Sequence, residues 1–337
     1  MIKLLRCPEV SIDKISKYLS YTNHYSQYSN FGYCETLLRN KFSKLLSIPL
    51  ERLCLGSSAT ALLRISCQAI LDKFSGDINN IYFPVFSFLS TFSISALLER
   101  EINWFDIDKE TFLPIINKEI KNNDLIFLNV PFGESSKIDT FFEYARNHDA
   151  TFIVDAAACL PGLIYNKKDL KKIPANVIIV FSLHATKLIS SGEGGLCIFG
   201  KDIPNNIKQL TNFGIDKNRT QKWEKSFNAK MSEYNAAAGL SSLDNFEKNA
   251  FKIIQAKEKI KRISTKYNIE VYNDINFPSL IINFCFDDSN EVSKKLIKKN
   301  YEFRRWWSLS KYVSKLNHKN SIFLYKKPSS LPIFFIL

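Results

Sequence analysis

The sequence predicts an α/β protein: a three-layer α/β/α sandwich with a mainly parallel central sheet, followed by a small C-terminal α/β domain. Three observations lead there. Short apolar runs of strand length are separated by stretches of helical period, the pattern of a parallel sheet covered by helices. At 337 residues, 45% hydrophobic and 23% charged, the chain has an ordinary globular balance and enough length for one large domain and a small second one. No internal repeat or low-complexity tract interrupts the pattern.

The elements follow in order. Ser11–Tyr21 and Glu35–Leu46 read as helices separated by an aromatic, Ser/Asn-rich loop, Thr22–Tyr33. Arg52–Leu55 reads as a short strand that meets the small-residue turn Gly56-Ser57-Ser58-Ala59-Thr60, and a helix runs from about Ala61 to Asp72. Strands are predicted at Ile81–Pro84, Asn103–Asp106, Leu125–Val130, Thr151–Val154, Val177–Ser182 and Gly195–Phe199, with helices at Phe88–Glu99 and Thr140–Asn147 between them. One long helical segment is expected from Ser232 into the Lys-rich region Phe251–Tyr267. Beyond it, Ile269–Val271, Ser279–Phe286 and Ser321–Tyr325 are strand candidates, with a helix at Glu291–Asn300. We place the boundary at residue 240: residues 1–240 form an N-terminal arm and large domain, and residues 241–337 a small domain.

The bulk chemistry excludes several classes. Net charge is +13, but the lysines are scattered and no nucleic-acid signature is present, so a solvated basic surface is the plain reading and attraction to anionic ligands the functional one. The seven cysteines are odd in number and no pair has Cys-x-x-Cys spacing, so a zinc site or disulfide framework is not expected. The opening MIKLLRCPEVSIDK turns polar too early for a secretory signal, and Phe83–Leu98 is too short and serine-rich to span a bilayer. A cytoplasmic protein without metal, membrane insertion or nucleic-acid partner is expected.

Three short segments carry candidate chemistry. In the first, the strand ending Val180-Phe181-Ser182 leads through His184 to Lys187 and then to Ser191-Gly192-Glu193-Gly194-Gly195. Alone, Lys187 reads equally as a solvated lysine and Ser182 as a turn residue. In the second, Thr151-Phe152-Ile153-Val154 delivers Asp155 into the small residues Ala156-Ala157-Ala158, where it is either a site carboxylate or a helix cap. The third, the Ser57–Thr60 turn before a helix, can present backbone N–H groups to a phosphate. It lacks the Gly-Lys-Ser/Thr ending of a nucleotide-binding P-loop.

Taken in order, SSATAL, PVFSFLST, VDAAA, FSLHATK with SGEGG, and FNAKMSEYNAAAGL resemble the DegT/DnrJ/EryC1/StrS family of pyridoxal-phosphate sugar aminotransferases. That family lies within the fold-type I aspartate aminotransferase superfamily, and the resemblance runs from about Asn23 through Leu240, weakening beyond. It implies pyridoxal 5′-phosphate held as a Schiff base on Lys187, with Asp155 paired to the pyridine nitrogen. Ser182, with Ala59 and Thr60 through their turn, matches the phosphate ligands. Phe88 falls where an aromatic ring covers the cofactor. Asn228 matches an asparagine that reaches the phosphate of a neighbouring subunit, which implies a homodimer with shared sites. Gly32, Glu35, Pro84, Gly133, Gly214, Met231 and Gly239 also match and are read as supports of shape. The family commonly carries Gln or His three residues after the aspartate, where this chain has Ala158. Members acting as sugar 3-dehydratases carry histidine in place of the lysine, so Lys187 favours transamination.

The chemistry suits these roles. A lysine amine must lose its proton to attack an aldehyde, and desolvation promotes that. A carboxylate keeping the ring nitrogen protonated makes the ring an electron sink. The resemblance implies transfer of an amino group from glutamate to a nucleotide-linked keto-sugar, with Lys187 as both base and acid and ping-pong kinetics. For the substrate, His24 and Tyr25 in the Thr22–Tyr33 loop, His184, and Arg304 and Arg305 before Trp306-Trp307 are the candidates. The alternatives are another pyridoxal-phosphate reaction or a non-nucleotide acceptor on the same fold, and a catalytically silent binding homologue. An amino-sugar or polysaccharide biosynthetic setting is what the resemblance suggests.

Overall fold

The computed structural model describes residues 10–74 and 77–266, the strand segments 270–271, 281–285, 304–305 and 328–332, and residues 278 and 319. Two helices open the described chain, α1 (Ile12–Tyr25) and α2 (Tyr33–Leu46). The order then runs β1 (Leu53–Gly56), α3 (Ala59–Lys73), β2 (Ile81–Pro84), α4 (Leu89–Leu97), β3 (Asn103–Ile107), β4 (Pro114–Ile115), β5 (Leu125–Asn129), α5 (Ile138–Arg146), β6 (Thr151–Asp155) and α6 (Leu160–Tyr165). It continues with β7 (Val177–Ser182), β8 (Gly195–Phe199), α7 (Ile207–Leu210), α8 (Glu233–Asp244) and α9 (Phe246–Lys266).

These strands form one eight-stranded sheet in the order β1-β8-β7-β6-β5-β2-β3-β4. The pairs joining β7, β6, β5, β2 and β3 are parallel, while β8 runs antiparallel to both β7 and β1, and β4 antiparallel to β3. The sheet is therefore parallel in its middle and antiparallel at its two ends. Four later strands, β9 (Glu270–Val271), β10 (Ile281–Cys285), β11 (Arg304–Arg305) and β12 (Pro328–Pro332), make a separate antiparallel sheet in the order β11-β12-β10-β9.

Every residue of β1, β2, β5, β6 and β8 is buried, as strands covered on both faces must be. Alternate side chains then separate into two apolar layers. Phe152, Val154, Ile179 and Phe181 join a cluster with Leu38, Phe42 and Leu46 of α2 and Ala236 and Leu240 of α8. Ile153, Ile178 and Val180 join the opposite one, with Leu62, Leu63 and Ile70 of α3. Each fully buried Leu, Ile or Phe contributes about 1.5–3 kcal/mol of transfer free energy, so the sandwich is held chiefly by these two layers. Ser11, Ser58 and Ser232 cap α1, α3 and α8 by accepting N–H bonds three residues on.

Two expectations are corrected. The Thr22–Tyr33 segment is not all loop, because α1 continues to Tyr25. Thr22 is buried there and its hydroxyl donates to Glu233 Oε2 at 3.3 Å, which favours the extra helical turn. The long helix expected from Ser232 is two helices meeting at Asn245. Asn245 accepts from the Asn249 N–H through its carbonyl (3.1 Å) and from Lys14 Nζ through its side chain (2.8 Å), so it starts α9 and ties it to α1. The strand candidate Ser321–Tyr325 and the helix at Glu291–Asn300 lie outside the described residues.

Candidate active site

The parallel strands deliver their C-terminal ends to one edge of the sheet, where open α/β sheets place ligands. Asp155 ends β6 and Ser182 ends β7. By strand alternation Asp155 shares the face of Ile153, and Ser182 that of Ile178 and Val180, which is the face packed by α3. Asp155 and Ser182 are thus turned toward the layer that contains Ala59 and Thr60.

A row of close backbone contacts brings α3 to this edge. Ser182 pairs with Gly195 on β8, and Gly195 pairs with Gly56 on β1. A Cβ on Gly195 would lie 2.7 Å from the Ala59 nitrogen and 2.8 Å from the Ser58 carbonyl carbon, so the N-terminus of α3 rests directly on Gly195. Only a residue without a side chain permits that approach. The Ser58 hydroxyl accepts from the Ala61 N–H at 3.1 Å, which leaves the N–H groups of Ala59 and Thr60 as the donors of the first turn without a partner among the described residues. Ser182 Oγ accepts from the His184 N–H at 3.2 Å and keeps its own hydrogen to donate. Two backbone donors and one hydroxyl beside a helix N-terminus make a seat for a phosphate.

Next to this seat lie an acid and an amine. Asp155 is only 4% exposed and accepts one hydrogen bond, from the Ala157 N–H to Oδ1 at 3.0 Å. Burial pushes its carboxyl up to about 6, against the opposing pulls of that N–H and of Lys187. Burial likewise draws the Lys187 amine below the ordinary lysine value, opposed by the negative charge of Asp155. The two groups feel each other's charge, yet desolvation dominates at both. The result is an amine inclined to be neutral beside a carboxyl that lacks a full cationic partner.

Pyridoxal phosphate fits this set of groups. A protonated ring nitrogen supplies the cation that buried Asp155 lacks, the aldehyde takes the Lys187 amine, and the phosphate takes the donors of Ala59, Thr60 and Ser182.

Comparison with known proteins decides the lineage. The sequence profile of the DegT/DnrJ/EryC1/StrS aminotransferase family matches residues 22–272. The chain belongs to that family. Its fold is that of a putative PLP-dependent aminotransferase from Bacillus cereus, with a TM-score of 0.80 at 21% identity over 98% of this chain and 94% of the other. It also superposes on DesI, solved in the presence of its TDP-sugar product, with a TM-score of 0.74 at 20% identity over 98% of this chain and 87% of that one. The uncharacterized protein MJ1066 of Methanocaldococcus jannaschii is 27% identical over 71% of this chain. The match spans 61% of that relative's length. Pyridoxal phosphate is the cofactor of this aminotransferase family.

Within the DegT/DnrJ/EryC1/StrS framework the other expected residues can be placed. Phe88 is the N-cap of α4, just past the C-terminal end of β2, and 46% exposed. Asn228 is exposed beside buried Ala229, whose carbonyl accepts from the Ser57 N–H at 2.7 Å, so the segment bearing Asn228 is fastened to the phosphate-seat turn. His24 and Tyr25 occupy the last turn of α1, exposed and packed edge to face at 4.9 Å. Among the described residues no hydrogen bond or ring contact joins either to Lys187 or Asp155. Arg304 and Arg305 form β11, paired with Ser330 and Ser329. His184, expected beside the substrate, has its ring Nδ1 toward Thr186 and its Nε2 toward Glu193 at 3.5 Å.

At the Ala158 position, a Cβ on Gly133 (φ +75°) would meet the Ala158 carbonyl oxygen at 2.9 Å and its Cβ at 3.1 Å. The backbone of the Gly133 turn thus closes over Ala158. Sequence reasoning passed over Glu233, which is fully buried and accepts from the N–H groups of Cys34 (2.6 Å) and Glu35 (3.1 Å) at the start of α2. A Cβ on Gly32 would fall 2.8 Å from its carboxyl carbon. The ordered pair Gly32 and Glu233 in the family motifs was the available signal. Asn235 was also missed; its Nδ2 donates to the Ser191 carbonyl at 2.8 Å and anchors the glycine loop after Lys187.

Proposed function

We propose that this chain is a pyridoxal-phosphate aminotransferase that moves an amino group from glutamate to a nucleotide-linked keto-sugar. The observation that carries the reading is the meeting, at one sheet edge, of buried Asp155, the desolvated amine of Lys187 and the phosphate seat of Ala59, Thr60 and Ser182. When bound, the cofactor supplies an aldehyde that accepts an amine and a protonated ring that delocalises an electron pair.

The chain's own groups do the rest. Lys187 would hold the cofactor through Nζ, and the same amine, when free, would take the proton from the donor α carbon and later give it back, acting as base and then acid. Burial lowers the proton affinity of this amine and so favours its neutral, basic form. Asp155 keeps the proton on the ring nitrogen. Ser182 and the amides of Ala59 and Thr60 fix the phosphate, and Phe88 fixes the plane of the ring so that the breaking bond stays aligned with its π system. Asn228 reaches the phosphate of a second copy, so the working unit is a homodimer with shared sites. Arg304 and Arg305 take the acidic groups of the acceptor, and His24 and Tyr25 touch its sugar. DesI, crystallised with a TDP-sugar product, supports a nucleotide-linked acceptor.

The test is product analysis by mass spectrometry with glutamate and a panel of nucleotide keto-sugars. Glutamate alone should release one equivalent of 2-oxoglutarate per site, and an added acceptor should gain one amino group with parallel-line, ping-pong kinetics. An obligatory ternary complex, or no keto acid from any amino donor, would overturn the reading.

A further inference from the structure

The segment that joins Ser182 to Lys187 is folded around one side chain. His184 donates its N–H to Ser182 Oγ at 3.2 Å and accepts the Lys187 N–H at its carbonyl at 2.8 Å. Its ring Nδ1 lies 3.2 Å from the Thr186 nitrogen and 2.9 Å from Thr186 Oγ1. A backbone N–H can only donate, so Nδ1 is the acceptor there, and the hydrogen of the neutral ring sits on Nε2. Nε2 faces Glu193 Oε1 at 3.5 Å.

Glu193 belongs to the returning strand of the same loop. That strand is stapled to the His184 side by three backbone bonds: Leu183 N–H to Gly194 O (2.9 Å), Ala185 N–H to Gly192 O (2.7 Å) and Ser191 N–H to Leu183 O (2.7 Å). The carboxylate and the imidazole are therefore presented to each other by a fixed frame. Among the described residues the turn from 184 to 187 has one further closing bond, from Lys187 N–H to His184 O, and the Thr186 N–H has no other acceptor.

We propose that His184 is a positioning residue for Lys187, its Nδ1 acting as the acceptor that holds the Ala185–Thr186 peptide next to the lysine while Glu193 orients the ring. This rests on Lys187 being the residue that holds the cofactor. His184 acts through Lys187 and Ser182 and touches neither cofactor nor substrate. One residue thereby sets the relative placement of the amine and of the phosphate-binding hydroxyl, the two groups that must reach opposite ends of one cofactor.

The test compares His184→Asn, His184→Phe and His184→Ala with the wild-type holoenzyme. Asparagine at this position can accept from the N–H two residues on, as in an Asx turn; phenylalanine keeps a ring without an acceptor, and alanine removes both. The first readout is the fraction of chains carrying cofactor mass on Lys187 after borohydride reduction at limiting pyridoxal phosphate. The second is amide exchange across residues 185–187 in the cofactor-free proteins. Loss of one such hydrogen bond predicts about a tenfold fall in linkage and faster exchange for Phe and Ala, with Asn within about threefold of wild type.

Wild-type linkage and exchange in both the Phe and the Ala variants would overturn the proposal. So would an Asn variant as impaired as Ala, which would assign the effect to ring packing. A change confined to KM for the acceptor, with linkage intact, would return His184 to the substrate. Absence of linkage in the wild type would instead remove the cofactor role of Lys187 itself, and this proposal with it.

Discussion

Replacing Asp155 by Asn should make the cofactor-free protein more stable while weakening its hold on the cofactor. Asp155 sits 4% exposed with one N–H donor, and burial raises its carboxyl from the ordinary 3.8 to about 6. Below about pH 4 the carboxyl is neutral in the folded and unfolded chains alike. Between about 4 and 6 the unfolded chain gives up its proton and the folded chain keeps it, so stability falls as pH rises through that window. Above it the ionised, buried carboxylate costs about 3 kcal/mol, at about 1.4 kcal/mol per pH unit. Asparagine retains the Oδ1 acceptor for the Ala157 N–H and removes the charge. The rise to about 6 is already net of the attraction to Lys187, so the stabilisation at pH 8 should be about 1–3 kcal/mol, vanishing near pH 4. Urea denaturation of the two cofactor-free proteins at both pH values measures it. Equal stability at pH 8, or a less stable Asn variant, would refute the claim that desolvation dominates at Asp155, and tighter cofactor binding by that variant would refute its pairing with the ring nitrogen.

Lys187→Ala should lose the covalent link and at least about 10²–10⁴-fold in turnover, measured by visible absorbance and by keto-acid release. Gly195→Ala places a Cβ 2.7 Å from the Ala59 nitrogen; it should cost about 1–3 kcal/mol by thermal denaturation and raise the cofactor dissociation constant, because it moves the donors of the phosphate seat. Glu233→Ala strips the N–H groups of Cys34 and Glu35 of their buried acceptor and should destabilise the fold by roughly 3 kcal/mol, read from urea midpoints.

Strands were the most legible part of the fold. Ile81–Pro84, Val177–Ser182 and Gly195–Phe199 have the bounds read from the sequence, because a fully buried strand is a short apolar run stopped by Pro, Ser or Gly. The helices were less legible where tertiary bonds set their ends. Thr22 reads as the start of a loop, and its buried partners are supplied by the fold, Cys34 of α2 and Glu233, 211 residues away. Asn245 looks unremarkable within a lysine-rich helical stretch, and its role as a junction depends on Lys14 at the other end of the chain.

Much of the candidate site was also legible. Asp155, Ser182 and Lys187 each sit at or just past the end of a buried strand, and parallel strands necessarily bring those ends to one edge. Local reading showed less at His184, where an imidazole three residues before the lysine suggests contact with a substrate and says nothing of its place in the turn. Its acceptor is used by the Thr186 N–H two residues on, a bond that depends on the backbone path of the turn and leaves no mark in composition or period. Glu233 was silent for a different reason: a carboxylate at a helix start reads as an ordinary cap residue, and its partners lie about 200 positions earlier in the chain.

The most direct measurement is to load the protein with pyridoxal phosphate, reduce it with borohydride, digest it and locate the added mass. The account predicts a single modified peptide bearing the cofactor on Lys187, at one per chain, and markedly less of it in the Asp155 variant. Modification spread over several surface lysines, or none at Lys187, would contradict it.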